Sequence, residues 1–199
     1  MKLVLASHNK KKIVELQSIV QALLPDVQVL SLADVGLHDD IVEDGASFAE
    51  NALIKAKAAA AAGYIGVGDD SGLCVRALND APGIYSARYA GEHGNDDANT
   101  ALLLKNMEGV SDRYAEFRCA IACAFPDNSE PIIVQGAVAG EITQEPSGNG
   151  GFGYDPVFYY PPDGMTLAEL DAQRKNQISH RGAALTLFAA ALVERLQKN

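Results

Sequence analysis

Residues 3–30 read LVLASHNKKKIVELQSIVQALLPDVQVL, and this stretch decides the fold class. Leu3 to Ala6 is a short apolar run that ends in the polar turn Ser7-His8-Asn9, the pattern of a buried strand leaving the core. Ile13, Leu16, Ile19, Val20, Leu23 and Leu24 then recur at helical spacing and share one face. Pro25 has no backbone N–H to continue that helix, and Val27 to Leu30 predicts a second strand. Strand, helix, strand within thirty residues is the opening of an α/β fold.

The remainder adds helices and a hairpin. Ser47 and Glu50 stand at capping-box spacing before an alanine-rich segment, Asn51 to Ala62, predicted helical as far as Gly63. Tyr64 to Val67 predicts a strand that empties into a polar turn, Gly68-Asp69-Asp70-Ser71-Gly72. Asn99 to Met107 predicts a helix closed by Gly109. Phe117, Cys119, Ile121, Cys123 and Phe125 alternate with period two, as in a half-buried strand. Ile132 to Val138 is expected beside it, antiparallel across the turn from Pro126 to Pro131. A glycine-rich loop, Ser147 to Gly153, precedes the short strand Val157 to Tyr160. Thr166 with Glu169 repeats the capping-box spacing, and Leu185, Phe188, Leu192 and Leu196 mark a last helix. The expected architecture is α/β, a mixed central sheet with flanking helices, in a single domain over residues 1–199 with no separable linker.

A formal net charge of -10 repels polyanions, which argues against DNA or RNA as a partner. A small phosphorylated ligand remains compatible, because a bound cation and the local cluster Lys10, Lys11, Lys12 can invert the potential at one site. Three cysteines, Cys74, Cys119 and Cys123, form neither a C-x-x-C pair nor an even disulfide framework, so free thiols in a reducing cytoplasm are expected. No apolar run approaches the ~20 residues needed to span a bilayer.

Four groups of residues carry potential chemistry. Ser7, His8, Asn9 and Lys12 lie where a strand meets a helix N-terminus, with hydroxyl, amide and ammonium donors suited to phosphate oxygens. A plain helix cap with solvated lysines explains the same residues. Asp69 and Asp70 are adjacent carboxylates that an extended chain sends in opposite directions. With Glu43, Asp44 and Glu50 upstream they offer hard oxygen ligands of the kind magnesium takes, although a solvated acidic turn is an equal reading. Gly148 to Asp155 combines glycines with Phe152 and Tyr154, flat surfaces on which a base can stack; it lacks the helix that a dinucleotide fingerprint requires. Ser179-His180-Arg181 opens the last helix, with Lys175 before it, and arginine and backbone donors there suit the 6-oxo edge of a purine. No serine sits in a nucleophile-elbow context, so a Ser-His-Asp triad is not indicated.

In their order along the chain these pieces resemble the inosine triphosphate pyrophosphatase family, the non-canonical purine nucleoside triphosphate pyrophosphatases. The resemblance rests on Ser7-x-Asn9-x-x-Lys12, Phe48-x-Glu50-Asn51-Ala52-x-x-Lys55-Ala56, Asp69-Asp70-Ser71-Gly72-Leu73, the segment from Pro82 to Arg88, Gly151-Phe152-Gly153-Tyr154-Asp155-Pro156 and Ile178-Ser179-His180-Arg181-Gly182. It implies two lobes around a central cleft and a homodimer. Ser7, His8, Asn9, Lys10, Lys11 and Lys12 would hold the triphosphate, and Ser71 would touch substrate. Asp70 would accept a proton and bind Mg2+ with Glu43, while Asp69 and Lys55 complete the catalytic set. Phe152, Gly153, Tyr154, Asp155, Lys175, His180 and Arg181 would form the nucleobase pocket. His8 and Lys11 stand where many relatives have glycine.

The activity so implied is Mg2+-dependent hydrolysis of purine nucleoside triphosphates such as ITP, dITP and XTP to monophosphate and pyrophosphate. Three alternatives compete with it: a triphosphatase releasing single phosphates, a non-catalytic nucleotide-binding module, and an RNA-stacking protein. The acidic pair has no use in mere anion binding, and the net negative charge opposes the RNA reading.

Overall fold

The computed structural model of the chain describes residues 1–7, 9–39 and 41–198, and of Lys11 only the backbone. Among the described residues, seven strands and five α-helices follow one another as β1 (Lys2–Leu5), α1 (Lys10–Leu23), β2 (Gln28–Ser31), α2 (Phe48–Ala61), β3 (Ile65–Val75), α3 (Asp96–Asn106), β4 (Tyr114–Ala124), β5 (Ile132–Ile142), β6 (Phe158–Tyr160), β7 (Met165–Thr166), α4 (Ala172–Ile178) and α5 (His180–Gln197). The strands form one sheet in the order β2-β1-β3-β4-β5-β6-β7. β1 pairs in parallel with β2 and β3, whereas β6 pairs antiparallel with β5 and β7, so the sheet is mixed, as the sequence predicts. The residues group into two compact units, Met1–Asp70, Cys119–Gly136 and Arg181–Asn199 in the first, Ser71–Arg118 and Ala137–His180 in the second.

The first unit shows why residues 3–30 are so readable. Leu3 and Leu5 face one way, packing with Leu16 and Val20 of α1 and Leu185, Phe188 and Leu192 of α5. Val4 and Ala6 face the other way and meet Leu32 and Ala59 of α2. A parallel strand covered by helices on both faces has no solvated side, and its sequence is apolar throughout. Gln17 on α1 donates to the Val27 carbonyl just before β2 and accepts from the Val29 N–H within it, fixing the crossover where Pro25 ends the helix.

α2 begins one turn earlier than the alanine run suggests. Ser47 is its N-cap, its hydroxyl accepting from the Glu50 N–H at 3.2 Å, while the Glu50 carboxylate reaches back to the Ala46 N–H at 2.7 Å. The helix lies directly on β3: a Cβ at Gly66 would run into the Ala56 carbonyl oxygen, and one at Gly68 into that of Ala52. Small residues complete this contact, with Ala52, Ala56, Ala120, Ala122 and Ala124 packed together.

Two sequence expectations fail. The polar turn expected at Gly68 to Gly72 is the middle of an eleven-residue strand, β3, because Leu73, Cys74 and Val75 beyond it are buried and both aspartates find cationic partners. The capping box at Thr166 and Glu169 forms its bond from the Thr166 N–H to the Glu169 carboxylate at 2.8 Å, yet it closes a turn after β7 rather than starting a helix. The next helix, α4, starts later with Asp171 as its cap. The second unit has its own apolar core, built on Leu73, Leu103, Met107, Phe117, Val138, Val157 and Phe158. Among the described residues no helix is long and apolar enough to cross a membrane.

Candidate active site

The charged groups of the first unit are sorted by strand alternation. Asp69 and Asp70 are consecutive on β3 and therefore project from opposite faces of the sheet. Asp69, 4% exposed, is held by the ammonium of Lys12 and, at 2.8 Å, by Nε of Arg181. Burial by itself would raise the Asp69 carboxyl, but the charges of Lys12 and Arg181 and their hydrogen bonds outweigh it and hold the group well below the usual carboxylate range. Cys119 packs on the same carboxylate, its Sγ 3.8 Å from Oδ2.

Asp70 belongs to a different cluster. Lys55 Nζ, on α2, lies 3.1 Å from Asp70 Oδ1 and 2.9 Å from Glu43 Oε2. Asn51, one turn before Lys55 and fully buried, donates its amide to Asp70 Oδ2 at 3.3 Å and accepts from the Gly45 N–H at 2.9 Å. Asn51 thus ties the loop that carries Glu43 to the strand that carries Asp70. Burial pushes the Asp70 carboxyl above its ordinary value; the Lys55 charge opposes this without cancelling it, and the Glu43 charge acts in the same direction as burial. Asp44, next to Glu43, is exposed.

The end of β1 leads into α1, which starts at Lys10 with three lysines and no acid in its first turn. Cations at a helix N-terminus oppose the helix dipole, by about 0.3–1 kcal/mol each where exposed, so this arrangement gains from an anion. The turn before the helix is ordered by Ser7, whose hydroxyl accepts from the Asn9 N–H at 3.1 Å. Lys12 reaches Asp69; Lys10 is exposed; His8 and the side chain of Lys11 lie outside the described residues.

In the second unit the glycine-rich loop is organised around Asp155, which is buried and accepts through Oδ2 from the Phe152 N–H at 2.7 Å and from Lys175 Nζ. The Lys175 ammonium sits 4.4 Å from the centre of the Phe152 ring, which is 59% exposed. Gly153 is fastened to α3, its N–H donating to Asp96 at 2.7 Å. His180 stacks on Phe117 with ring centroids 5.1 Å apart. Ser71, the residue after Asp70, is half-buried on β3.

Three expected assignments change in the structure. Tyr154 is no stacking surface: it is buried, and its hydroxyl donates to the Ser86 carbonyl at 2.8 Å, which leaves Phe152 as the exposed ring of that loop. Arg181, expected with the base-reading residues, is 9% exposed and places its guanidinium on Asp69. Asp69, expected beside Asp70 in one catalytic set, faces away from the Asp70 cluster, and its carboxylate holds Lys12 and Arg181. Sequence reasoning assigned no role to Asn51, Ser86 and Asp96. The motifs containing Asn51 and Ser86 were the available signal for those two; nothing local marks Asp96.

Among the described residues no group of three or more His, Cys, Asp and Glu side chains is placed to hold a metal ion. Glu43 and Asp70 are nevertheless two carboxylates converging on one cationic group, and each oxygen has two lone pairs. Such a donor set suits magnesium, which is usually bound by one or two carboxylates with substrate phosphates and waters completing its shell.

A family model described as the Ham1 family matches residues 3–191. A dITP/XTP pyrophosphatase of Desulforamulus reducens is 50% identical over 188 residues, spanning 93% of this chain and 92% of that protein. One of Coxiella burnetii is 43% identical over 198 residues and 98% of both chains. Among solved structures, the Staphylococcus aureus Ham1 protein aligns with a TM-score of 0.91 at 43% identity, covering 98% of this chain and 100% of that one. A HAM1 protein from Coxiella burnetii gives a TM-score of 0.91 at 43% identity, with 98% and 99% covered. With sequence, fold and motif order in agreement along its length, this chain belongs to the Ham1 family.

Proposed function

We propose that the protein is a Mg2+-dependent nucleoside triphosphate pyrophosphohydrolase that converts dITP, ITP and XTP to monophosphate and pyrophosphate, removing them from the nucleotide pool. The observation that carries the proposal is the convergence of Glu43, Lys55 and Asp70 in the same unit as the lysine-headed start of α1. The names of the relatives, dITP/XTP pyrophosphatases, support the substrate class.

Phosphoryl-type displacement depends on positioning and charge neutralisation more than on covalent chemistry by the protein. Ser7, Asn9 and Lys12, with the N–H groups opening α1, bind the triphosphate. Glu43 and Asp70 would hold Mg2+, which supplies positive charge to the phosphate oxygens. Asp70, made more basic by burial, accepts a proton from the attacking water as its oxygen bonds to the α-phosphorus. The bond between the α-phosphorus and the bridging oxygen breaks, and pyrophosphate leaves with its charge offset by Lys12 and Lys55. Asp69 keeps Lys12 extended and charged. Phe152 stacks on the base, and Lys175, fixed by Asp155, presents its ammonium beside that ring; backbone donors and His180 face the purine edge. Donors that bond to a 6-oxo oxygen oppose the amino group of adenine, a mismatch that costs more than a gap in an apolar wall.

A pyrophosphate-release screen over ATP, GTP, ITP, XTP and their deoxy forms, with and without Mg2+, tests the reading. Metal-dependent pyrophosphate from the inosine and xanthosine substrates is expected; orthophosphate in its place would overturn it. A homodimer in the cytoplasm is part of the proposal. Three free, buried thiols fit a reducing compartment, and light scattering should return twice the mass of the chain.

A further inference from the structure

Lys55 extends from α2 with its side chain only 9% exposed and its Nζ within hydrogen-bond reach of both Glu43 and Asp70. The two carboxylates therefore already share a positive charge. A divalent ion arriving alone finds no set of three or more protein ligands among the described residues, and both carboxylates it needs are engaged by an enclosed ammonium. Entry would place two cations side by side, a repulsion that grows as water is excluded. A triphosphate changes both conditions: its oxygens complete the ligand shell that magnesium prefers, and they offer Lys55 another anionic partner.

We infer that Lys55 is a resident counter-cation, which keeps Glu43 and Asp70 together in the free enzyme and makes metal entry depend on the nucleotide. The inference rests on Glu43 and Asp70 being the metal ligands of the proposed function; it adds the order of binding and the residue that enforces it. Lys55 has two successive tasks, holding Glu43 and Asp70 together before the nucleotide binds and then neutralising phosphate charge.

Mn2+ alone is the probe, titrated by electron paramagnetic resonance into the free protein and into the protein with a non-hydrolysable α,β-imido nucleotide. Wild type should bind Mn2+ weakly alone and far more tightly with the analogue. Lys55→Gln should tighten binding of Mn2+ alone by about tenfold or more, because the competing charge is gone. Lys55→Arg, which keeps the charge, should bind as weakly as wild type, and adding Glu43→Gln to Lys55→Gln should erase the gain. A folded Lys55→Gln that binds Mn2+ no more tightly than wild type overturns the inference. So does a wild type that holds Mn2+ equally well with and without the analogue, a comparison that decides the matter even if Lys55→Gln does not fold. Tightened Mn2+ binding in Lys55→Gln without pyrophosphate release by wild type would sink the proposed function and keep the counter-cation. Pyrophosphate release with unchanged Mn2+ binding would do the reverse.

Discussion

Asp69 and Asp70 are adjacent on β3, yet they answer to different cations, Asp69 to Lys12 and Arg181 and Asp70 to Lys55. One carboxylate is a buried anchor for positive charge; the other is the basic member of the candidate catalytic cluster. Their substitutions should accordingly fail in different ways.

Asp70→Asn removes the proton acceptor and metal ligand of the proposed function while preserving shape and the hydrogen bond from Asn51. Turnover should fall by about 10²–10⁴-fold or more, the usual scale for a lost general base, with far-UV circular dichroism unchanged. Retained activity in a well-folded variant would refute the role given to Asp70.

Asp69→Asn should instead damage stability. Removing one partner from a buried ion pair strands the other charges, at a cost of about 3–5 kcal/mol, read at neutral pH by urea denaturation. The pH dependence has a definite sign. The folded-state pKa of Asp69 lies below its ordinary 3.8, so its contribution is present above that value and disappears as pH falls through the folded pKa. The stability gap between wild type and Asp69→Asn should therefore narrow in acid below about pH 4.

Phe152→Ala should weaken substrate binding without unfolding the protein, since the ring is exposed. Loss of one base-stacking contact, about 1–3 kcal/mol, predicts a fall in kcat/KM of roughly 5–150-fold. Tyr154→Phe, two residues away, should do the converse and cost about 1 kcal/mol of stability through the lost bond to Ser86, with stacking intact. Equal effects of both changes on KM would contradict the division between an exposed and a buried ring.

The thiols should be silent in the native state. Burial pushes Cys74 up to about 11 and Cys123 up to about 12, and burial with the neighbouring Asp69 charge also raises Cys119. The thiolate is the reactive form, so a disulfide reagent at pH 8 should modify none of the three in folded protein and all three in urea.

The opening strand and helix were legible because their apolar periodicity is local and both faces of β1 are covered. β3 was harder, since glycine, aspartate and serine together favour turns over short range. What keeps Asp69 and Asp70 in a strand is remote: Lys12 lies 57 positions away and Arg181 112 positions away, and no local pattern reports such partners. The start of α5 at His180 was readable, whereas the destination of the Arg181 side chain was not. Tyr154 looked like Phe152 in sequence, and the Ser86 carbonyl that lets it bury its hydroxyl separates the two. The acids and lysines of the site were individually visible; which cation holds which carboxylate required the alternation of β3 to be known.

Gly68 carries no functional group, but the spacing of the candidate catalytic cluster depends on what it lacks. Asn51 and Lys55 both hang from the helix whose backbone rests on that residue. A single methyl group at position 68 would lift the helix off the strand and draw both groups away from Asp70, dismantling the cluster without altering charge or any hydrogen-bonding side chain.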